Sequence, residues 1–404
     1  MFLPRPSPRD ATLVAVARRN RSSAAVSSHA PHGQTPLRTV QVLGGGSAGS
    51  GAHVRSLAAG LVARGVRVTV CAPAEVGESH TFDAVGARYA PVARRGDPAS
   101  VAALRAECAD ADLVHAHGVN AGLRAALALR GLRVPLVVTW HARVHAQGPR
   151  AQVVRLMERR VARAASVVLG TCCDLVDRAR RRGARDARLA AVAFPARDTD
   201  PAEDMSPEDR EVVRGKARAE LGAVGRPLLV AVGSLDAHRG YETLLDAAHA
   251  WLGLDPVPLL VIAGEGPLRG QLQRRIEAER LPVRLLGRRD DAPEILAGAD
   301  AALLTSRWEA RSPVAQEALR ARVPLIASAV GGTPELVGDA ASLVPYGDAG
   351  ALGDAVARVL GDAAYRDALR DRGVAQAATW PTEDETVAQV LSVYDELTRP
   401  LVLR

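Results

Sequence analysis

Residues 309–337 read EARSPVAQEALRARVPLIASAVGGTPELV. Two carboxylates, Glu309 and Glu317, stand either side of a helix start. Ser312 and Pro313 have the N-cap and N1 pattern, which predicts a helix running to about Arg320. Glu317 then lies about one turn in, near the end that would face a ligand. A buried-looking strand follows, and Gly331-Gly332 opens a second helix on which Thr333 and Pro334 repeat the N-cap and N1 signature. Glu309 itself follows the apolar run 301–304. Ligands of open α/β sheets sit beyond the carboxyl ends of strands, so both acids are expected at one crevice. Glycines allow close backbone approach, and free N–H groups at a helix N-terminus attract a diphosphate. That order suits a nucleotide-sugar, with acids for hydroxyls and a helix start for phosphates. The plainer alternative is two solvated glutamates beside an ordinary turn, and the ordered run from Glu309 to Glu335 argues against it.

Outward from this stretch the chain alternates short apolar runs with helical patterns. Towards the N-terminus VQVL, VRVTVCA, DLVHAHG, PLVVTWH and SVVLG are separated by helical segments near 52–64, 100–109 and 152–163, with a less regular stretch at 82–95 and a last run, ARLAAVAF. Residues 195–211, PARDTDPAEDMSPEDRE, break the rhythm and read as a linker. PLLVAVGS, LLVIAGEG, VRLLGR, AALLTS, VPLIAS and ASLVP then restart it. Such alternation means βαβ units and parallel sheets. The expected architecture is α/β: two doubly wound, Rossmann-like domains at 38–196 and 212–380, joined by 197–211 and facing a cleft. Residues 1–37, rich in Ser, Ala, Pro and Arg with Asp10 the single acid, read as a disordered extension outside the fold. A transit peptide is the alternative for that composition.

The stretch SRWEARSPVAQEALRARVPLIASAVGGTPELV resembles the signature of the retaining GT-B glycosyltransferases of family 4, the glycosyl transferases of group 1. That signature is a glutamate, seven residues, a second glutamate and a Gly-Gly-x-Pro-Glu turn. The resemblance extends more weakly over residues 38–399. It implies that Glu309 contacts donor-sugar hydroxyls, Glu317 the ribose, and Gly331, Gly332, Thr333 and Glu335 the donor phosphates and sugar. It further implies that the glycine loop at Gly45 and Gly46 lies over the diphosphate, and that the helix 383–399 crosses back to the first domain. His141 ends the strand PLVVTWH and matches a family histidine near the donor sugar; a structural histidine is the alternative. His117, in VHAHG, is a further first-domain candidate. Three departures stand out. Ser234 occupies the position of a family arginine, Arg239 that of a family lysine, and Ala310-Arg311 replace Phe-Gly. Arg239 keeps the charge with another geometry, and Ser234 loses it.

Length and composition set the class. With 404 residues, two domains are the default expectation. Hydrophobic content of 48% and charged content of 24% describe a globular chain. Net charge is +7, but Lys216 is the only lysine, so the arginine excess reads as the base composition of a GC-rich genome. Aromatic content of 3% argues against stacking platforms for nucleic acid. Cys71, Cys108, Cys172 and Cys173 form no Cys-x-x-Cys, which fits a reduced, cytoplasmic setting. No run approaches the ~18–20 apolar residues of a membrane span. Arg155, Arg159, Arg160 and Arg163 could touch an anionic bilayer from the inner side, with a solvated face as the alternative.

Several motifs mimic other chemistries. Gly44-x-Gly46-x-x-Gly49 looks like a dinucleotide fingerprint, yet the next strand ends in Cys71-Ala72-Pro73 rather than an acid, with Glu75 beyond it. Asp110-Ala-Asp112 lies before a strand, the wrong end for ligands, and Asp198-Thr-Asp200 lies in the linker. His115 and His117 could begin a zinc site, but no third ligand is apparent nearby in sequence. With those motifs set aside, the resemblance implies a retaining, metal-independent transferase that needs no cofactor. Its donor is a nucleoside-diphosphate sugar, and its acceptor is a lipid, glycan or small molecule. Another GT-B enzyme, such as a sugar phosphorylase or nucleotide-sugar epimerase, and a non-catalytic nucleotide-binding scaffold are the alternatives.

Overall fold

The computed structural model describes residues 36–45, 48–94, 97–144, 146–193 and 206–399. Seven strands form the first sheet: β1 Arg38–Leu43, β2 Arg67–Ala72, β3 Arg88–Pro91, β4 Leu113–His117, β5 Leu136–Trp140, β6 Val167–Gly170 and β7 Ala187–Leu189. Their order is β3-β2-β1-β4-β5-β6-β7, and every pairing is parallel. Six strands form the second: β8 Leu228–Val232, β9 Leu259–Ala263, β10 Val283–Gly287, β11 Ala301–Leu304, β12 Leu325–Ser328 and β13 Ala341–Val344. Their order is β10-β9-β8-β11-β12-β13, again all parallel. The doubly wound α/β reading of the sequence is borne out.

Alternate strand residues enter opposite cores, as the two-residue period of a strand requires. Val40 and Val42 of β1 join one core, while Leu43 joins the core beneath the helix Glu383–Thr398. Leu229 and Ala231 of β8 face one way, and Leu228 and Val230 the other. Helices on both faces thus explain why these runs are almost continuously apolar. The helix Glu383–Thr398 packs its Val387 against Gly60 of the helix Ala48–Ala63, where a Cβ on Gly60 would overlap the valine. Two local readings change. The stretch around residue 88, expected to be irregular, contains β3, and the residues expected to close the linker start the helix Pro207–Glu220.

In each sheet the winding direction reverses at one place: between β1 and β4 in the first, between β8 and β11 in the second. Ligand crevices of such sheets lie at these switch points. Gly45 follows β1 and His117 ends β4, while Ser234 and Arg239 follow β8 and Glu309 follows β11. Among the described residues, no helix is long and apolar enough to cross a membrane. Arg155, Arg159, Arg160 and Arg163 are exposed on the helix Pro149–Ala164, beside exposed Val153 and Leu156. Its other side is pinned by buried Glu158, which pairs with Arg178 and Arg182 at 2.8 Å each.

Candidate functional site

Parallel register builds the first wall. Gln41 stands opposite His115, and His117 opposite Thr139, so these polar residues share one face of β1, β4 and β5. Tyr394 of the last helix covers them. Gln41 Nε2 donates to the Tyr394 hydroxyl at 2.9 Å, which leaves Gln41 Oε1 to accept from His117 Nε2 at 3.0 Å. A neutral imidazole carries one proton, so His117 Nδ1 is a bare acceptor, 3.2 Å from His141 Nε2. His115 completes the set, with Nδ1 2.8 Å from Tyr394 and Nε2 2.7 Å from Thr139 Oγ1. His53, on the helix Ala48–Ala63, meets His141 and His117 edge-on with ring centroids 5.1 and 5.9 Å away.

Burial holds these imidazoles neutral. It lowers His53 to about 4, against an opposing hydrogen bond to the Ala193 backbone, and His115 to about 3. His117 and His141 are also pushed well below the usual range, first by burial and then by neighbouring imidazoles. The unfolded chain takes up protons near the ordinary value of 6.5, and the folded chain does not. Stability is therefore full above about pH 6.5 and falls as pH drops toward 4 and 3. At pH 5 the loss should be about 2 kcal/mol for each of His53 and His115. A falling thermal midpoint between pH 7 and pH 5 in metal-free buffer is the expected result, and a flat profile would contradict it.

The second wall forms from three loops. Arg239 lies in the short helical turn Ala237–Arg239 after β8, and its Nη1 donates to Glu309 Oε1 at 2.5 Å. Both side chains are mostly buried. Thr305 Oγ1 donates to the Arg239 carbonyl and the Arg307 N–H to the His238 carbonyl, which ties the loops after β8 and β11 together. The Gly332 N–H donates to the Glu309 carbonyl at 2.8 Å, adding the turn after β12. Ser234 is half-buried in the first of these loops. Glu317 is half-buried on the helix Pro313–Arg320, which Ser312 caps by accepting from Ala315 N, with Pro313 at N1 as the sequence suggested.

The glycine turn corrects the sequence reading. Gly332, not Thr333, is the N-cap of the helix Thr333–Val337, and Thr333 and Pro334 occupy its first two positions. The N–H groups of Gly332 and Thr333 donate to the carbonyls of Glu309 and Val330, which ties the turn to the loop after β11. Glu335 reaches across the cleft, where its Oε2 accepts from the Cys173 N–H at 2.9 Å. An acid there suits the start of the helix Cys173–Arg181. Trp308 Nε1 likewise donates to Asp174 at 2.8 Å, so the loops after β11 and β12 touch the helix start after β6.

In this region Arg239 Nε, Arg311 Nε and Nη2, Ser306 Oγ and Thr333 Oγ1 are buried without a hydrogen-bond partner. Burial also lowers the Arg311 guanidinium, against the pull of Glu335. These polar atoms are left to be satisfied by a ligand or by ordered water.

Gly45 has φ +78°, and a Cβ on it would stand 2.5 Å from Arg94 Nε. Arg94 pairs with Glu75 at 2.7 Å, so the acid nearest to a ribose position in the dinucleotide reading is already taken. Gly46 lies outside the described residues, as do Asp198 and Asp200. Asp112 accepts from the Arg38 N–H at the start of β1, away from the cleft. Sequence reasoning missed Gln41, Tyr394 and His53. The first two are ordinary in type, and His53 is 64 positions before His117 (117 − 53) on a helix.

Against known families, the model of glycosyl transferase 4-like domains matches residues 48–195, and that of glycosyl transferases group 1 matches residues 213–376. The chain is 30% identical over 310 residues to alpha-D-kanosaminyltransferase of Streptomyces kanamyceticus, covering 70% of this chain and 77% of that protein. This chain belongs to the glycosyl transferases of group 1. The glycosyltransferase is also 30% identical over 328 residues to D-inositol 3-phosphate glycosyltransferase of Salinispora arenicola, covering 72% and 71% of the two chains. Anabaena HepE, solved in complex with UDP and glucose, superposes on this glycosyltransferase with a TM-score of 0.74 at 20% identity, covering 89% of this chain and all of that one. WaaG, a glycosyltransferase involved in lipopolysaccharide biosynthesis, gives 0.66 at 17% identity over 90% and 100% of the two chains. The GT-B fold follows from these superpositions.

Proposed function

We propose that this glycosyltransferase takes its sugar from a nucleoside-diphosphate donor and transfers it with retention, without a metal ion, to an acceptor on the first domain. The observation carrying the reading is the contact set of Arg239, Glu309 and the Gly331-Gly332 turn at the switch point of the second sheet. A cation and an acid together suit a ligand carrying both phosphate and hydroxyl groups. The binding of UDP and glucose by the structurally similar HepE supports the same donor class.

Arg239 neutralises the departing diphosphate, and the buried Arg311 guanidinium supplies a second cation where Ser234 provides none. Glu309 accepts from sugar hydroxyls and Glu317 from the ribose. His141, neutral and half-buried at the end of β5, hydrogen-bonds the sugar from the opposite wall, with His117 behind it. Charge develops on the leaving diphosphate as the anomeric carbon gains oxocarbenium character. Preorganised donors stabilise that charge without a metal. The acceptor hydroxyl attacks on the face from which the diphosphate departs and passes its proton to a departing diphosphate oxygen, which retains the configuration.

Transfer is expected to continue in excess chelator and to give a product with the donor's anomeric configuration. A screen of UDP, GDP and ADP sugars by thermal shift selects the donor for that assay. Activity lost in chelator and restored by magnesium or manganese, or an inverted product, would overturn the reading. Turnover that depends on inorganic phosphate would identify a phosphorylase instead.

A further inference from the structure

His53, His117 and His141 each offer a ring nitrogen, and these atoms all lie within 4.8 Å of one another. His117 Nδ1 and His141 Nε2 are already 3.2 Å apart. Zinc–imidazole bonds are about 2.0–2.1 Å, which places two nitrogens of one tetrahedral ion roughly 3.3–3.4 Å apart. The pair is close to that spacing, and His53, within 4.8 Å, must close by up to about 1.5 Å to join it. Nothing in the proposed transfer requires His53.

The surroundings are those of a ligand set. A metal-bound histidine usually gives its other N–H to a carbonyl or carboxylate, which fixes tautomer and ring orientation. His117 gives Nε2–H to Gln41 Oε1, and Gln41 is fixed in turn by Tyr394. The His53 ring is held by the Ala193 backbone. These bonds leave His117 Nδ1 unprotonated, with a lone pair that accepts from His141 Nε2.

We propose that His53, His117 and His141 form a three-imidazole site for a divalent transition-metal ion, with zinc the best fit. On binding, His141 shifts its proton from Nε2 to Nδ1, so both facing nitrogens donate to the ion and no proton is released. An all-nitrogen set favours zinc, copper or nickel over magnesium or manganese. The ion would occupy His141 and so oppose transfer. That consequence rests on the proposed function, whereas binding of the ion does not.

The test uses the full chain, stripped with chelator and titrated with zinc by calorimetry and with cobalt(II) by visible absorption. One saturable equivalent of zinc is expected, with cobalt bands of a four-coordinate nitrogen and oxygen site. His53→Ala and His141→Ala should each weaken zinc binding by about 100-fold or more, and Gln41→Leu by about 10–100-fold. His141 is half-buried, so its replacement decides the matter should His53→Ala fail to fold. Cys173→Ser should bind as the parent does, since the exposed Cys173 thiol is outside the set. Three results overturn the proposal: no saturable equivalent, an equivalent that survives His141→Ala, or thiolate-to-cobalt charge-transfer bands.

Discussion

Arg239→Ala is expected to lower nucleoside-diphosphate affinity by about 100-fold or more, whereas Glu309→Gln should raise that affinity while nearly stopping transfer. In the structure the two residues hold each other at 2.5 Å, both mostly out of solvent. On the proposed reading a donor diphosphate shares or takes over the Arg239 guanidinium. Charge-assisted hydrogen bonds contribute about 1.5–3 kcal/mol each, and 1.4 kcal/mol is one decade of affinity. Losing one or two of them accounts for the expected drop, because Ser234 offers only a neutral hydroxyl. Glu309→Gln keeps the shape, frees Arg239 and removes a negative charge beside the phosphates. About a tenfold gain in nucleotide affinity follows.

The same substitution weakens the hydroxyl contacts that strengthen as the sugar becomes cationic, so turnover should fall about 100-fold. Opposite signs for binding and turnover set this outcome apart from simple damage to the fold. Calorimetric titration with the preferred nucleoside diphosphate, alongside initial rates, reads both. If neither variant changes affinity, the diphosphate does not sit at Arg239, and the transfer assignment at this loop fails. Melting curves belong beside the Arg239→Ala measurement, because it leaves a mostly buried carboxylate unpaired.

Much of this architecture was legible because it depends on short-range pattern. Apolar runs such as LLVIA in β9, short and alternating with helical patterns, read as strands covered on both faces, and Ser312-Pro313 states a helix start in two residues. Side-chain partners on loops distant in sequence were not legible. Arg239 and Glu309 are 70 positions apart, and each looked available to a ligand until the loops brought them together. Glu335 has the same history, being claimed by the Cys173 N–H of the other domain. At Thr333 the error was one residue of cap position. Gly332 can open the helix without a side-chain cap because Pro334 at the second position has no N–H to satisfy and the Thr333 N–H is bound to the Val330 carbonyl. His53 was invisible for a different reason: a lone histidine in a small-residue helix carries no spacing signal until the fold sets its ring against His117 and His141.

Gly331→Ala is expected to cut kcat/KM by about 100-fold or more, well beyond its effect on stability. Gly331 has φ +54°, and a Cβ there would overlap the Glu309 carbonyl and stand 2.7 Å from Trp308 Nε1. A non-glycine residue in this region costs about 1–3 kcal/mol. The displacement costs function twice. It moves the loop that sets the Glu309 carboxylate against Arg239, and it disturbs Trp308, whose Nε1 donates to Asp174 across the cleft while Arg143 lies 5.8 Å over its ring. Positioning errors of about 1 Å at a reacting centre can lose two orders of magnitude in rate. Gly65→Ala provides the control. Gly65 also has positive φ, +81°, with no neighbouring atom within 4 Å of the added Cβ, and it precedes β2 at the sheet end opposite the cleft. It should lose stability through backbone strain alone and keep its transfer rate. Thermal melts and donor-saturation kinetics on both variants separate the two costs. Equal loss of activity in Gly331→Ala and Gly65→Ala would mean that the glycine turn does not position Glu309. The contact set on which the donor reading depends would then lack its third member.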